Sequence, residues 1–157
     1  MASQFPIQLA QGIDSAHIRY MPVTAAQTFI TGALVTITLG VGTVGECGAD
    51  PATILGIAMA PASIGLATTG SIYGGTQIPV YILQPDTVCF MASATTPVQA
   101  THQFVLYGIE KTTNWRVDTT DVANTRVTVV DISNTPLQEG FYVKFLAANL
   151  LGDSIVS

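Results

Sequence analysis

The sequence predicts an all-β protein, and three features of the pattern support this prediction. Apolar and polar residues alternate in several short runs, so that Val35 and Ile37 face one side of a strand while Thr36 and Thr38 face the other. Turn-forming residues separate the runs at short spacing, for example at 134–136. No window of ten or more residues has the period of an α-helix. Many short strands with frequent turns favour a small barrel.

The predicted elements follow one another along most of the chain. A short helical turn is conceivable near 61–68, where Pro61, Gly65 and Gly70 oppose a longer helix. The predicted strands lie at about 17–23, 33–39, 53–59, 78–83, 87–92, 103–109, 113–117, 126–132 and 140–147.

The 157 residues suit one domain, or one domain with a small appendage. Residues 1–12 have no clear period but include the apolar Phe5, Ile7 and Leu9, which predicts an extended N-terminal arm that either frays or docks on another surface. Residues 13–157 are predicted to form a single barrel-like domain of short antiparallel strands. The polar stretch at 92–101 is a candidate subdivision of that domain.

The composition indicates a protein that assembles with partners. Hydrophobic residues make up 48% of the chain and charged residues only 10%, against about 25% charged in a typical soluble domain. Large permanent interfaces have few charged residues at their centres, so assembly is favoured over a monomer covered with uncharged polar groups. The net charge of −5 and only five basic residues exclude nucleic acid and acidic membrane surfaces as partners.

The first residues lack the basic and apolar regions of a secretion signal, and no apolar run reaches about 18 residues. We therefore expect synthesis in the cytoplasm without export. In that compartment Cys47 and Cys89 are expected to be reduced thiols rather than a disulfide.

One motif matches a cofactor-binding pattern. Residues 40–45 read G-x-G-x-x-G after a predicted strand, as in dinucleotide-binding folds. That function needs a helix next, whereas residues 46–51 contain Gly48 and Pro51 and end in a turn. The motif is therefore interpreted as a glycine-rich hairpin, and no cofactor is expected.

No catalytic or metal site emerges from the residue spacing. The two histidines, His17 and His102, are far apart in sequence and accompany no G-x-S-x-G motif, so both are expected to be ordinary surface or edge-strand residues. Asp118 and Asp121 could bind calcium, but no EF-hand pattern surrounds them. Side-chain to backbone hydrogen bonds that shape a turn are the favoured role of both aspartates. The chain is thus not expected to be an enzyme.

The single tryptophan, Trp115, has two equally supported roles. Tryptophan is enriched at the energetic centres of interfaces and also in protein cores. Both interpretations stay open from the sequence.

Several segments resemble the capsid decoration (cement) proteins of tailed bacteriophages. The resemblance covers about residues 25–147, and its pieces are short runs of common strand residues. They are Phe29–Thr36 followed by a glycine-rich turn, Ile54–Ala58, Ile78–Val80, Tyr107–Lys111, Trp115–Asp118, Arg126–Asp131 and Val143–Leu146.

The resemblance implies a small β-barrel, sometimes called a β-tulip, and a structural function. Such proteins bind the outer surface of the expanded phage head as dimers or trimers and stabilise it by bridging capsid subunits. The expected partners are therefore the major capsid protein and further copies of this chain, and the expected location is the virion surface. The expected contact residues are Phe5, Ile7, Leu9 and Trp115. Deleting residues 1–10 is expected to weaken capsid binding and to leave the β fold intact.

Two other classes remain as alternatives. A phage tail or receptor-binding module that recognises glycans would favour a cluster of exposed aromatic residues, and the sequence shows no such cluster. A small hydrolase on a barrel would need a catalytic site that the residue spacing does not provide.

Overall fold

A computed structural model confirms the all-β fold class. It describes residues 5–24, 28–38, 40–60, 77–94, 98–112, 114–135 and 138–151. In this part of the chain the only helical elements are 3-10 turns at Ser15–His17, Ala100–His102 and Ala147–Asn149. The strands are β1 (Gln8–Gln11), β2 (Ile18–Pro22), β3 (Leu34–Thr38), β4 (Thr43–Glu46), β5 (Gly56–Ala58), β6 (Gln77–Ile82), β7 (Val88–Ser93), β8 (Leu106–Lys111), β9 (Trp115–Asp118), β10 (Val127–Thr135) and β11 (Gln138–Phe145).

Nine of these strands overlap a predicted one, and β1 and β4 were not predicted. Neither of the two missed strands, QLAQ and TVGE, shows a clear period-two alternation. These two strands are recognised only by their pairing, of β1 with β7 and of β4 with β3. The helical turn expected near 61–68 lies outside the described residues.

The structure divides the chain into two compact units, where the sequence predicted one domain at 13–157. The first unit contains the described residues of Met1–Ile13, Gly48–Ala52 and Gln84–Asn149. The second contains those of Asp14–Cys47, Thr53–Leu83 and Leu150–Ser157. The described residues on both sides of the stretch at 92–101, the candidate subdivision, belong to the first unit. Each unit combines segments that are distant in sequence, which a one-dimensional pattern does not reveal.

The second unit is a closed five-stranded barrel. Its strands pair in the order β2-β6-β5-β3-β4. A bridge between Val23 and Val44 closes the ring, and the Thr24 backbone N–H donates to the Val44 carbonyl oxygen at 2.8 Å. The side-chain oxygens of Thr24 and Thr43 lie 2.9 Å apart beside this closure. The closed ring pairs both edges of the sheet, so no strand is left as an open edge over its whole length.

The glycine-rich motif forms the hairpin between β3 and β4, as predicted. The two strands pair antiparallel from Val35 with Glu46 to Thr38 with Thr43. Gly40 and Gly42 have φ angles of 84° and 81° in the turn. Only glycine adopts this region without a steric penalty, so the glycines serve the turn and no helix follows them.

The first unit is built on a six-stranded sheet in the order β1-β7-β11-β10-β8-β9. A short parallel pairing of β9 with β7, at Arg116 with Ala92 and Val117 with Ser93, closes the last five strands into a ring. The strand β1 pairs antiparallel with the first half of β7. Residues 8–11 of the predicted arm are therefore a strand of this sheet.

Both predicted thiols are buried, and no disulfide joins them. Cys89 is the second residue of β7 and lies opposite Val143 of β11. Burial raises the pKa of the Cys89 thiol to about 12, because desolvation disfavours the thiolate. A thiol that stays protonated at neutral pH is a poor nucleophile, so Cys89 acts as a small apolar core residue.

Candidate interaction surface

The N-terminal contact residues predicted from the sequence pack on the first unit itself. The Phe5 ring stacks on Phe90 with centroids 5.1 Å apart, and Phe90 in turn lies 4.7 Å from Tyr142. Ile7 is only 4% exposed, and Leu9 pairs with Cys89 in the β1–β7 ladder. In this chain, therefore, Phe5 and Leu9 are half-buried and Ile7 is buried.

Trp115 is 1% exposed and thus belongs to the core in this structure. The Lys111 ammonium lies 5.1 Å from the centre of its ring, a distance that permits a cation–π contact. Beside it, Arg116 of β9 forms an ion pair with Glu110 of β8. The core role, which the sequence left equal with an interface role, is the one that this structure displays.

The side chains that are available for contact are apolar residues that the sequence reasoning did not select. Phe104 is the most exposed of them, at 75%. The others in the described part of the chain are Ile13, Tyr20, Ile30, Val41, Met59, Leu106 and Val122. Single exposed apolar residues are common on soluble proteins, so exposure alone does not distinguish a site.

The backbone at Phe104 sets this residue apart from the other exposed apolar residues. The Phe104 N–H donates to the Val129 carbonyl at 2.7 Å, and the Val129 N–H donates to the Val105 carbonyl at 3.1 Å. Two residues therefore oppose one, which is the pattern of a β-bulge whose first position is left-handed and is usually glycine. Phe104 occupies that position with a φ of 62°. No sequence signal marks it, because phenylalanine does not predict a left-handed residue.

A second feature of the first unit is a short segment, Gly48–Ala52, which we call the strap. The Asp50 N–H donates to the Ile109 carbonyl at 3.0 Å, and the Ile109 N–H donates to Asp50 Oδ1 at 2.7 Å. Arg126 donates from Nε to the Pro51 carbonyl at 2.6 Å and from Nη2 to the Asp50 carbonyl at 3.1 Å. The strap is therefore attached to β8 and to the residue that precedes β10.

Asp50 meets a second carboxylate, that of Asp121. A methyl group at Gly108 would lie 2.7 Å from Asp50 Oδ1 and 2.5 Å from Asp121 Oδ2, so only glycine leaves room for both. Burial, together with the neighbouring Asp121, raises the pKa of Asp50. Hydrogen bonds from the Asn124 and Ala123 backbones lower the pKa of Asp121. The pKa values of the two neighbouring carboxyl groups therefore shift in opposite directions.

The predicted turn role of Asp118 and Asp121 is confirmed. Asp118 Oδ1 accepts hydrogen bonds from the Thr120 N–H at 2.9 Å and from its hydroxyl at 2.6 Å. Asp121 Oδ1 accepts from the N–H groups of Ala123 and Asn124 at 3.1 and 2.9 Å. In the described residues no group of three or more His, Cys, Asp or Glu side chains could hold a metal ion.

Each histidine contacts an aromatic side chain. His17 Nδ1 lies 3.5 Å from the Tyr81 hydroxyl, which also accepts a hydrogen bond from the Asp14 N–H at 3.0 Å. His102 Nδ1 accepts from the Gln99 N–H at 3.1 Å, and its ring packs edge-on against Phe141. Within the described part of the chain, neither ring hydrogen-bonds a serine, cysteine or carboxylate group.

The first unit also carries an open polar cleft of about 750 Å³ on four neighbouring strands of its sheet, β1, β7, β11 and β10. It is lined by Ala10, Gln11, Gly12, Asp86, Val88, Val130, Asp131, Tyr142 and Lys144. These residues come from four separate stretches of sequence, so no local motif could have predicted the cleft.

Comparison with protein-family models, with curated proteins and with solved structures found no match to this chain. No helix in the described residues is long and apolar enough to cross a membrane.

Proposed function

We propose that this protein is a structural capsid decoration protein, which binds the outer surface of an expanded phage head and bridges neighbouring capsid subunits. The observation that carries the proposal is Phe104, a large apolar side chain that is exposed on a left-handed backbone. The resemblance of residues 25–147 to the cement proteins names the partner class. The partners in this proposal are the major capsid protein and further copies of this chain.

The strained position makes Phe104 informative. A left-handed conformation costs a residue other than glycine about 1–2 kcal/mol, and the exposed ring buries little surface in return within this chain. Strain of this kind accumulates at functional positions. A partner that covers the ring would add the burial of a phenylalanine, about 1.5–3 kcal/mol, and aromatic anchors of this kind dominate many interfaces.

The charge content supports the same function. Only 10% of the residues are charged, which matches the low charge at the centre of permanent interfaces. The arm adds a second element to the proposal, because β1 pairs with β7 and Phe5 covers Phe90 on the same sheet. In this proposal the arm is part of the sheet of the first unit. Only the solvent-exposed parts of the half-buried Phe5 and Leu9 side chains can contact the capsid.

The decisive experiment is co-sedimentation of the purified full chain with undecorated, expanded capsids of the parent phage, with unexpanded shells as the control. Saturable binding to expanded shells alone, with a higher melting temperature of the decorated shell, is the expected result. Binding to neither shell would overturn the proposal and would favour the tail or receptor-binding alternative.

Three variants locate the contact. Phe104→Gly and Phe104→Ala both remove the ring, and only the first also relieves the backbone strain. We expect both to weaken binding by at least about ten-fold, as expected when an aromatic anchor worth more than 1.4 kcal/mol is removed. Phe104→Tyr keeps an aromatic ring and is expected to bind within about three-fold of the wild type. Equal binding by all four proteins would exclude Phe104 from the contact.

A further inference from the structure

The polar cleft of the first unit has the construction of a ligand site. Two strands that border it each contain one extra residue, Ala10 in β1 and Val130 in β10, and both of these bulge residues line the cleft. Bulges re-aim side chains and are enriched next to functional sites. In the sheet order, β7 and β11 lie between the two bulged strands and supply Val88, Tyr142 and Lys144.

The polar groups of the cleft include both hydrogen-bond donors and acceptors without protein partners. In the described residues, the side chains of Gln11, Asp86 and Lys144 and the hydroxyl of Tyr142 make no hydrogen bond or ion pair. Asp131 is already engaged, because its Oδ1 accepts from Gln103 Nε2 at 3.1 Å and from the Ile132 N–H at 2.8 Å. An ammonium donates only, a carboxylate accepts only, and an amide and a phenol do both.

The charge of the cleft narrows the ligand class. The lining contains two carboxylates, those of Asp86 and Asp131, and one ammonium, that of Lys144, so a phosphate or another strong anion would be repelled. A purely cationic ligand supplies no hydrogen-bond acceptor for the Lys144 ammonium, which can only donate. A neutral ligand with many hydroxyl groups avoids both penalties, because each hydroxyl can donate to one side chain and accept from another.

The apolar contact surface of the cleft fits the same class. Tyr142 is half-buried and contacts Phe90, its cross-strand neighbour, which in turn stacks on Phe5. An aromatic ring that is fixed in this way loses little side-chain entropy when a ligand packs on it. Sugars combine apolar C–H surface with a rim of hydroxyls, which matches this pairing of a tyrosine with polar groups.

From this geometry we infer that the cleft lined by Gln11, Asp86, Tyr142 and Lys144 binds a neutral glycan. The inference does not depend on the proposed decoration function, because it concerns a separate surface and is tested without capsids.

The test is isothermal titration of the full chain with four neutral hexasaccharides, those of glucose in α-1,4 and β-1,4 linkage, mannose and N-acetylglucosamine. A heparin hexasaccharide serves as the anionic control. We expect saturable binding of at least one neutral hexasaccharide, with no binding of the heparin fragment. No binding by any neutral hexasaccharide at 10 mM ligand, about the weakest interaction that a few hydrogen bonds support, would overturn the inference.

Variants assign the binding to the cleft. Tyr142→Phe keeps the ring and removes the hydroxyl, and Asp86→Asn and Lys144→Gln remove one charge each. Each is expected to weaken binding by about three-fold to ten-fold, as for the loss of one hydrogen bond. The matched control is Arg19→Gln, which removes a cation from the exposed strand β2 of the second unit. Unchanged affinity in all three cleft variants, with melting temperatures equal to that of the wild type, would contradict the assignment.

Discussion

Phe104 is a bulky residue at a backbone position whose left-handed conformation disfavours a bulky side chain. The left-handed position in the bulge favours glycine, and the side chain gains almost no burial in this chain. We therefore expect Phe104 to add little to the stability of the isolated protein, and the proposed decoration function would give its exposed ring a partner.

The Phe104→Gly variant separates stability from binding. We expect the melting temperature of the isolated protein to stay equal or to rise, because the relief of left-handed strain, about 1–2 kcal/mol, offsets the greater freedom of glycine in the unfolded chain. Thermal unfolding followed by circular dichroism measures this. A fall of several degrees would show that the ring stabilises the first unit, and its exposure would then need another explanation.

At the same scale, Asp50 and Asp121 have opposite dependences on pH. The folded pKa of Asp50 is raised, so its stabilising contribution is present at low pH and is lost as the pH rises through the folded pKa. The folded pKa of Asp121 is lowered, so its contribution is present above the unfolded pKa and is lost as the pH falls through the folded pKa.

Matched amide variants test these opposite signs. Asp50→Asn keeps the acceptor for the Ile109 N–H and removes the unfavourable charge. We therefore expect the stability of this variant, relative to that of the wild type, to be higher at pH 7 than at pH 4. Asp121→Asn removes a charge that the Asn124 and Ala123 N–H groups stabilise, so its stability relative to the wild type is expected to be lower at pH 7 than at pH 4. Melting temperatures at the two pH values give both results, and equal pH dependences in the two variants would contradict the assignment.

At the scale of the element, part of the N-terminal segment that was predicted to be an arm is a strand of the sheet. Residues 8–11 pair with β7, Ile7 is buried, and Phe5 covers Phe90. The expectation that residues 1–10 could be removed without harm to the fold therefore needs revision, because the deletion exposes apolar surface and one edge of β7.

We now expect deletion of residues 1–10 to lower the melting temperature as well as capsid binding. Burial of Ile7 alone corresponds to about 1.5–3 kcal/mol, which shifts the midpoint of a domain of this size by several degrees. The point variant Phe5→Ala, which keeps β1 intact, is the control for a direct contact of the arm with the capsid. An unchanged melting temperature after the deletion would show that the pairing of β1 adds nothing to the stability of the sheet.

At the scale of the whole molecule, the scarcity of charge determines how the protein can bind. Five basic and ten acidic residues over 157 positions leave few groups for long-range attraction. Apolar contacts, unlike exposed ion pairs, are not screened by salt. An interface of this protein should therefore depend on burial of apolar surface.

We therefore expect capsid binding that is nearly independent of ionic strength. Between 0.05 and 0.5 M NaCl we expect the affinity in the co-sedimentation assay to change by less than about three-fold, because screening acts mainly on exposed charges. A loss of affinity by ten-fold or more over this range would show that charged pairs carry the contact, in conflict with an apolar anchor at Phe104.

Local sequence was sufficient for the fold class, for most strands and for the hairpin at residues 40–45, because alternation and turn chemistry act between residues that are close along the chain. The hairpin interpretation of that motif rested on Gly48 and Pro51, which oppose a helix after Gly45. The division into two units, the closure of each ring of strands, the burial of Trp115, the left-handed Phe104 and the polar cleft were decided only by the tertiary structure. Each depends on segments that are distant in sequence, as when β10 meets the 103–105 turn, and a one-dimensional pattern contains no information about which of them meet.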